Sequence, residues 1–146
     1  MRYSHPQLLR INHLISELDH IYHEMALKFK LSDSAFSILY TLCVEGDGSA
    51  LSLIVNHAGL AKQTVNSALR KLEEENVINL VLDGKRKKKI FLTEKGIKLC
   101  EATVIKIIEL ENNIFISWGD EKSNRYIEDT REYNRLMMEG FLKLCK

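Results

Sequence analysis

The sequence predicts a mainly α-helical α+β fold, with long amphipathic helices at both ends and two short helices plus a small β-hairpin between them. Apolar residues recur at spacings of three and four over most of the 146 positions. Two β-branched runs, "VINLVL" and "KKIFLT", flank Asp83-Gly84, a two-residue hairpin signal. A single proline and 45% hydrophobic content suit one compact domain, or two small lobes sharing a core.

In the first segment, Leu8, Ile11, Ile15, Leu18, Tyr22, Met25 and Phe29 form an unbroken seam, which predicts a helix of about 22 residues. Ser32 is positioned to cap the next helix, "DSAFSILYTLCV", whose apolar character implies burial and which should end near Gly46 and Gly48. A third, short helix turns Leu51, Ile54 and Val55 inward and stops at "HAG". A fourth runs from about Lys62 to Glu75 with Val65, Ala68, Leu69 and Leu72 inward. Two short helices around a glycine turn make a helix-turn-helix.

The outward face of the fourth helix gathers Lys62, Gln63, Thr64, Asn66, Ser67 and Arg70. Amide and guanidinium groups match the hydrogen-bonding edges of adenine and guanine in a major groove. Asn76 can end the helix in a left-handed cap. The hairpin that follows would be a wing. Its tip and returning strand carry Lys85, Arg86, Lys87, Lys88 and Lys89, cations suited to phosphates or a minor groove. From Ala61 to Lys95, nine cations face five anions, so this stretch is +4 and the remainder −3 in a chain of net charge +1. Such polarity suits a nucleic acid better than a membrane.

With "LSDSAFSIL", "GLAKQTVNSALRKLEEENVI" and "FLTEKG" on view, the sequence resembles the MarR family of winged-helix transcription regulators along nearly its whole length. The resemblance implies a homodimer on double-stranded DNA with a pseudo-palindromic operator, usually a repressor released by small molecules, metals or oxidants. It also implies a winged lobe over residues 31–93 and dimerisation helices over 1–30 and 94–146. Ala61 stands where the family usually caps with serine, and Asn76 replaces a customary glycine. Counting back from Leu92-Thr93 aligns Arg86 with the wing arginine, with Gly84 in the place of its aspartate partner. Family pockets between the two lobes make His13, Tyr40 and Cys43 candidates for an effector site.

Thr93 should cap a third long helix reaching Trp118, with Ile97, Cys100, Val104, Ile107 and Ile114 on its seam. Gly119-Asp120 ends it, and a last helix carries Tyr126, Thr130, Tyr133, Met137, Phe141 and Leu144. Stripes this broad on a monomer would expose a large apolar patch, so a second copy of the chain is expected to cover them.

Several residues have plainer readings. Lysines on an edge strand also discourage aggregation. His13, Glu17, His20 and Glu24 share one helix face, where they could bind a metal or simply face solvent; no metal site and no cofactor are expected, because no matching ligand cluster follows. His57 reads as structural. Cys43 and Cys100 lie in apolar stripes, where a thiol is ordinarily an inert small hydrophobe, and Cys145 is near the end. Three scattered cysteines suit a reducing cytosol, and neither a secretory leader nor a membrane helix is evident, so a soluble cytoplasmic protein is expected. Without a phosphate loop, a nucleophile elbow or a paired-carboxylate site, an enzyme is not expected. A winged helix that binds RNA or another protein is the alternative to a DNA regulator.

Overall fold

A computed structural model describes residues 5–84 and 87–145, leaving the side chain of Lys87 undescribed. The elements are α1 (Pro6–Lys28), α2 (Asp33–Glu45), β1 (Ser49–Ala50), α3 (Leu51–His57), α4 (Lys62–Glu74), β2 (Ile78–Asp83), β3 (Lys87–Leu92), α5 (Glu94–Ala102) and α6 (Val104–Leu144). The α+β class read from the sequence is the observed one: helices with a three-stranded antiparallel sheet, in the order β1-β3-β2. The chain divides into two compact units, Met1–Lys106 and Ile107–Lys146.

In the first unit, α1 ends as chain propensity alone would not suggest. Lys30 adopts φ 57°, and Leu31 N–H reaches back to the Ala26 carbonyl at 2.9 Å, closing a Schellman-type cap with a lysine in the left-handed position. Ser32 then caps α2 as expected, accepting from Ala35 N–H at 3.2 Å. α2 buries Phe36, Ile38, Leu39 and Leu42 against α4, whose Val65, Leu69 and Leu72 complete the contact with Ile54 of α3 and Ile78 and Ile90 of the sheet. Each such aliphatic side chain contributes about 1.5–3 kcal/mol by leaving water. This core fixes which face of α4 remains outside.

Two expectations are corrected, and one strand is added. The two-residue Asp83-Gly84 turn is wrong, because Asp83 pairs with Lys87 and so belongs to the ladder, with Gly84 following it at φ 73°. The long helix expected from Thr93 to Trp118 is interrupted at Thr103, whose φ −130° and ψ −92° lie outside the helical region. Its hydroxyl donates to the Leu99 carbonyl at 2.6 Å, the i−4 bond by which threonine disturbs a helix. Finally, β1 was not foreseen: Ser49 pairs with Ile90 and Ala50 with Lys89, giving the hairpin a third strand.

In the second unit, Gly119 breaks α6 with φ 74° and ψ 171°, as the sequence suggested. Trp118 sits edge-on to both Phe115 and Tyr126, with centroids 5.7 and 5.5 Å away, and Lys122 Nζ lies 4.5 Å from the Trp118 ring centre. Beyond this cluster, Tyr133, Met137, Met138, Phe141 and Leu142 are all exposed. Among the described residues, no helix is long and apolar enough to cross a membrane.

Candidate nucleic-acid interface

Helix α4 is strongly two-sided. Val65, Leu69 and Leu72 are 0–3% exposed, while Lys62, Gln63, Thr64, Asn66, Ser67 and Arg70 all face out. These six are the residues that the sequence singled out on this helix, and the structure brings them onto one surface. The helix starts without a side-chain cap, because Ala61 at the N-cap offers no acceptor. It ends on a Schellman motif: Asn76 takes φ 56°, its N–H reaches the Glu73 carbonyl at 2.9 Å, and Val77 N–H reaches the Leu72 carbonyl at 2.8 Å. The left-handed asparagine expected there is the one found.

α3 and α4 are held at a fixed angle from behind. Ser37 Oγ donates to the Ala58 carbonyl at 2.6 Å, tying α2 to the turn. His57 lies 3.2 Å from Glu45 across the α2–α3 junction, consistent with a structural part for that histidine. His23 Nδ1 lies 2.9 Å from both carboxylate oxygens of Asp33, linking α1 to the first turn of α2.

A groove of about 590 Å³ runs beside α4, with Gln63, Thr64 and Ser67 on one wall and Lys30 and Ser32 on the other, Lys71 at its rim. Hydroxyls and ammonium groups of this kind are partners for phosphate oxygens. Sequence reasoning missed Lys30, Ser32 and Lys71, since nothing in the α1–α2 turn signals that it will lie opposite α4. Glu75 also lines the groove, 3.9 Å from Lys71 Nζ.

The wing begins beside this face. Strand alternation puts Lys88 with Ile90 and Leu92 on the side of β3 facing the core, beyond the core's edge, where Lys88 is exposed opposite Leu82. Lys89 points the other way and is held by Asp83 at 2.9 Å, a diagonal cross-strand pair. Lys85 and Arg86 lie outside the described residues. At the base of the wing, Asp47 Oδ1 accepts from Leu92 N–H at 2.7 Å, and Thr93 caps α5 by accepting from Gly96 N–H at 3.0 Å.

Of the three effector candidates, Tyr40 lines a cavity of about 450 Å³ walled by Tyr22, Phe36 and Tyr40 with His23 and His57. The three rings lie 6.0–6.4 Å apart, centroid to centroid. His13 and Cys43 are not in its wall: His13 is exposed on α1, and Cys43 is half-buried on α2. Glu17, His20 and Glu24 are likewise exposed on α1, and no group of three or more potential ligands among the described residues is placed to hold a metal ion.

No protein-family model matches the sequence, and no curated protein matches it. Solved structures do match in three dimensions. A MarR family regulator from Neisseria meningitidis superposes with a TM-score of 0.82 at 23% identity, over 95% of this chain and 99% of that one. The MepR–DNA complex of Staphylococcus aureus gives 0.65 at 22% identity, over 93% and 99%. The PcaV regulator of Streptomyces coelicolor, in complex with its natural ligand, gives 0.63 at 14% identity, over 92% and 98%. The chain therefore has the winged helix-turn-helix fold of the MarR family of transcriptional regulators.

Proposed function

We propose that this chain is a DNA-binding transcriptional regulator of the MarR type, a cytoplasmic homodimer that represses from a pseudo-palindromic operator and is released by a small-molecule effector. One observation carries the reading: α4 buries its apolar side completely and leaves Lys62, Gln63, Thr64, Asn66, Ser67 and Arg70 together in solvent. Gln63, Asn66 and Arg70 are the base-reading types, while Lys62, Thr64 and Ser67 suit phosphates and sugar. The wing supplies Lys85, Arg86, Lys87 and Lys88 to the flanking backbone, Arg86 by resemblance entering the minor groove. The groove beside α4 accommodates the backbone of one strand between Lys30 and Lys71. This is the work of a binding protein and requires no catalysis.

The dimer reading is supported by exposed apolar rows on the terminal helices, including Leu8, Ile11, Ile15 and Leu18 on α1 and Tyr133, Met137 and Phe141 on α6. Rows of this length in water favour association. In this proposal residues 1–30 and 94–146 form the dimerisation helices. The aromatic cavity around Tyr40 suits a planar apolar effector, with His23 and His57 available to a polar substituent.

The test is a footprint on the DNA flanking the gene, combined with sedimentation at micromolar concentration. A dimer should protect a symmetric site whose half-site centres are about 10 bp apart. A monomer, or the absence of any preferred duplex site, would instead point to a winged helix that binds protein or RNA.

A further inference from the structure

The aromatic cavity of about 450 Å³ between α1, α2 and the end of α3 has an uneven supply of hydrogen-bonding groups. Ser37 and Thr41, both in its wall, have already committed their protons: Ser37 Oγ donates to the Ala58 carbonyl at 2.6 Å, and Thr41 Oγ1 to the Ser37 carbonyl at 2.7 Å. What remains on either oxygen is lone pairs. His23 turns Nδ1 to both oxygens of the Asp33 carboxylate, each 2.9 Å away. A carboxylate only accepts, so Nδ1 carries the proton, and Nε2 of the neutral ring is an acceptor. The Glu45 carboxylate, 3.2 Å from Nδ1 of His57, favours the same tautomer there.

Charge is uneven in the same sense. Asp19 and Asp33 line the cavity, and among the described residues of its wall there is no lysine or arginine. Asp33 keeps acceptor capacity after its contact with His23, because a carboxylate offers about four lone-pair sites. Tyr22, Phe36 and Tyr40 add their rings, with centroids 6.0–6.4 Å apart. The face of an aromatic ring is the negative part of its quadrupole and attracts a cation within about 6 Å. Carboxylates, imidazole and hydroxyl lone pairs and ring faces therefore all favour a guest that is positive and donates hydrogen bonds. An aromatic acid of the same size would meet like charge at Asp19 and Asp33 and acceptors at Ser37 and Thr41.

We propose, resting on the reading of this cavity as the effector site, that its ligand is an organic cation: a flat apolar ring system bearing a protonated amine. The ring system packs against Tyr22, Phe36 and Tyr40, and the ammonium group lies toward Asp19 and Asp33. A volume of about 450 Å³ is within the usual range of small-molecule sites. Both carboxylates are exposed, so salt screens their attraction for the ammonium group. The contacts of the ring system with the aromatic wall do not depend on salt in this way, and they hold a neutral analogue equally well.

The experiment titrates the full chain, without DNA, by calorimetry with three naphthalene derivatives of nearly the same shape: 1-naphthylmethylamine, 1-naphthalenemethanol and 1-naphthoate. The amine, protonated at neutral pH, should bind roughly tenfold more tightly than the alcohol, and the carboxylate most weakly of the three. Asp19→Asn and Asp33→Asn should each reduce the margin of amine over alcohol and leave the affinity for the alcohol unchanged. Alcohol or carboxylate binding as tightly as the amine would overturn the proposal, as would a margin that neither substitution reduces, or no binding of any of the three. The charge series on the unsubstituted chain keeps the test valid if a variant fails to fold. Because DNA is absent, the result is separate from the footprint: a failed footprint with the amine bound through Asp19 and Asp33 overturns the regulator reading and leaves the cation site.

Discussion

The carbonyl oxygen of Val77 lies so close to Gly96 that a Cβ at position 96 would overlap it. The same carbonyl accepts from the Thr93 backbone N–H at 3.0 Å and from its hydroxyl at 3.1 Å. The "LTEKG" stretch is therefore a joint: threonine caps α5 and pins it to the end of α4's loop, and glycine lets the first turn of the helix seat there.

This joint decides the sign of a substitution that helix propensity would get wrong. Alanine for glycine inside an ordinary helix gains about 0.5–1 kcal/mol. Here the added methyl meets backbone, which cannot swing aside, so Gly96→Ala should lose about 1–3 kcal/mol, as overpacked sites do. Urea denaturation, read as a lowered midpoint at constant slope, checks it.

Position 61 should respond in the opposite sense. Ala61 has the extended N-cap conformation, φ −60° and ψ 140°, but no side-chain acceptor for the free N–H groups of α4. Ala61→Ser supplies one, and should raise stability by about 1 kcal/mol in the same assay.

The wing lysines should separate by their partners. Lys88 is exposed, whereas Asp83 already neutralises Lys89. If the wing lies on phosphates, Lys88→Ala should reduce the salt slope of DNA affinity by about 0.9, one released counterion, and Lys89→Ala by clearly less. Affinities of both variants across a salt series give the comparison.

Periodicity made much of this fold legible. The helix of α1, the two-sided pattern of α4, the Ser32 and Thr93 caps and the break at Gly119 are local signals, and the structure carries each of them. What escaped depends on contacts distant in sequence. A strand as short as Ser49–Ala50 has no alternation to detect and exists because β3 offers Ile90 and Lys89 as partners. Thr103 interrupts a helix where neither glycine nor proline warns of it. The hairpin misreading arose because Asp83-Gly84 is a good turn pair, while the register keeps Asp83 in the strand beside Lys87. Likewise, the residues on α4's outer face were legible from spacing, but Lys30 and Ser32 came to the groove only through the fold.

In the proposed function, the exposed face of α4 reads bases. Its most direct test compares Asn66→Ala and Arg70→Ala with the unsubstituted protein on a footprinted operator and on a random duplex, at fixed salt. Both residues are exposed, so neither change should disturb the core formed by Val65 and Leu69. Base reading by these side chains should cost about 1–3 kcal/mol for each on the operator, with affinity for the random duplex almost unchanged. Equal losses on both duplexes would contradict it and assign these side chains to the phosphate backbone.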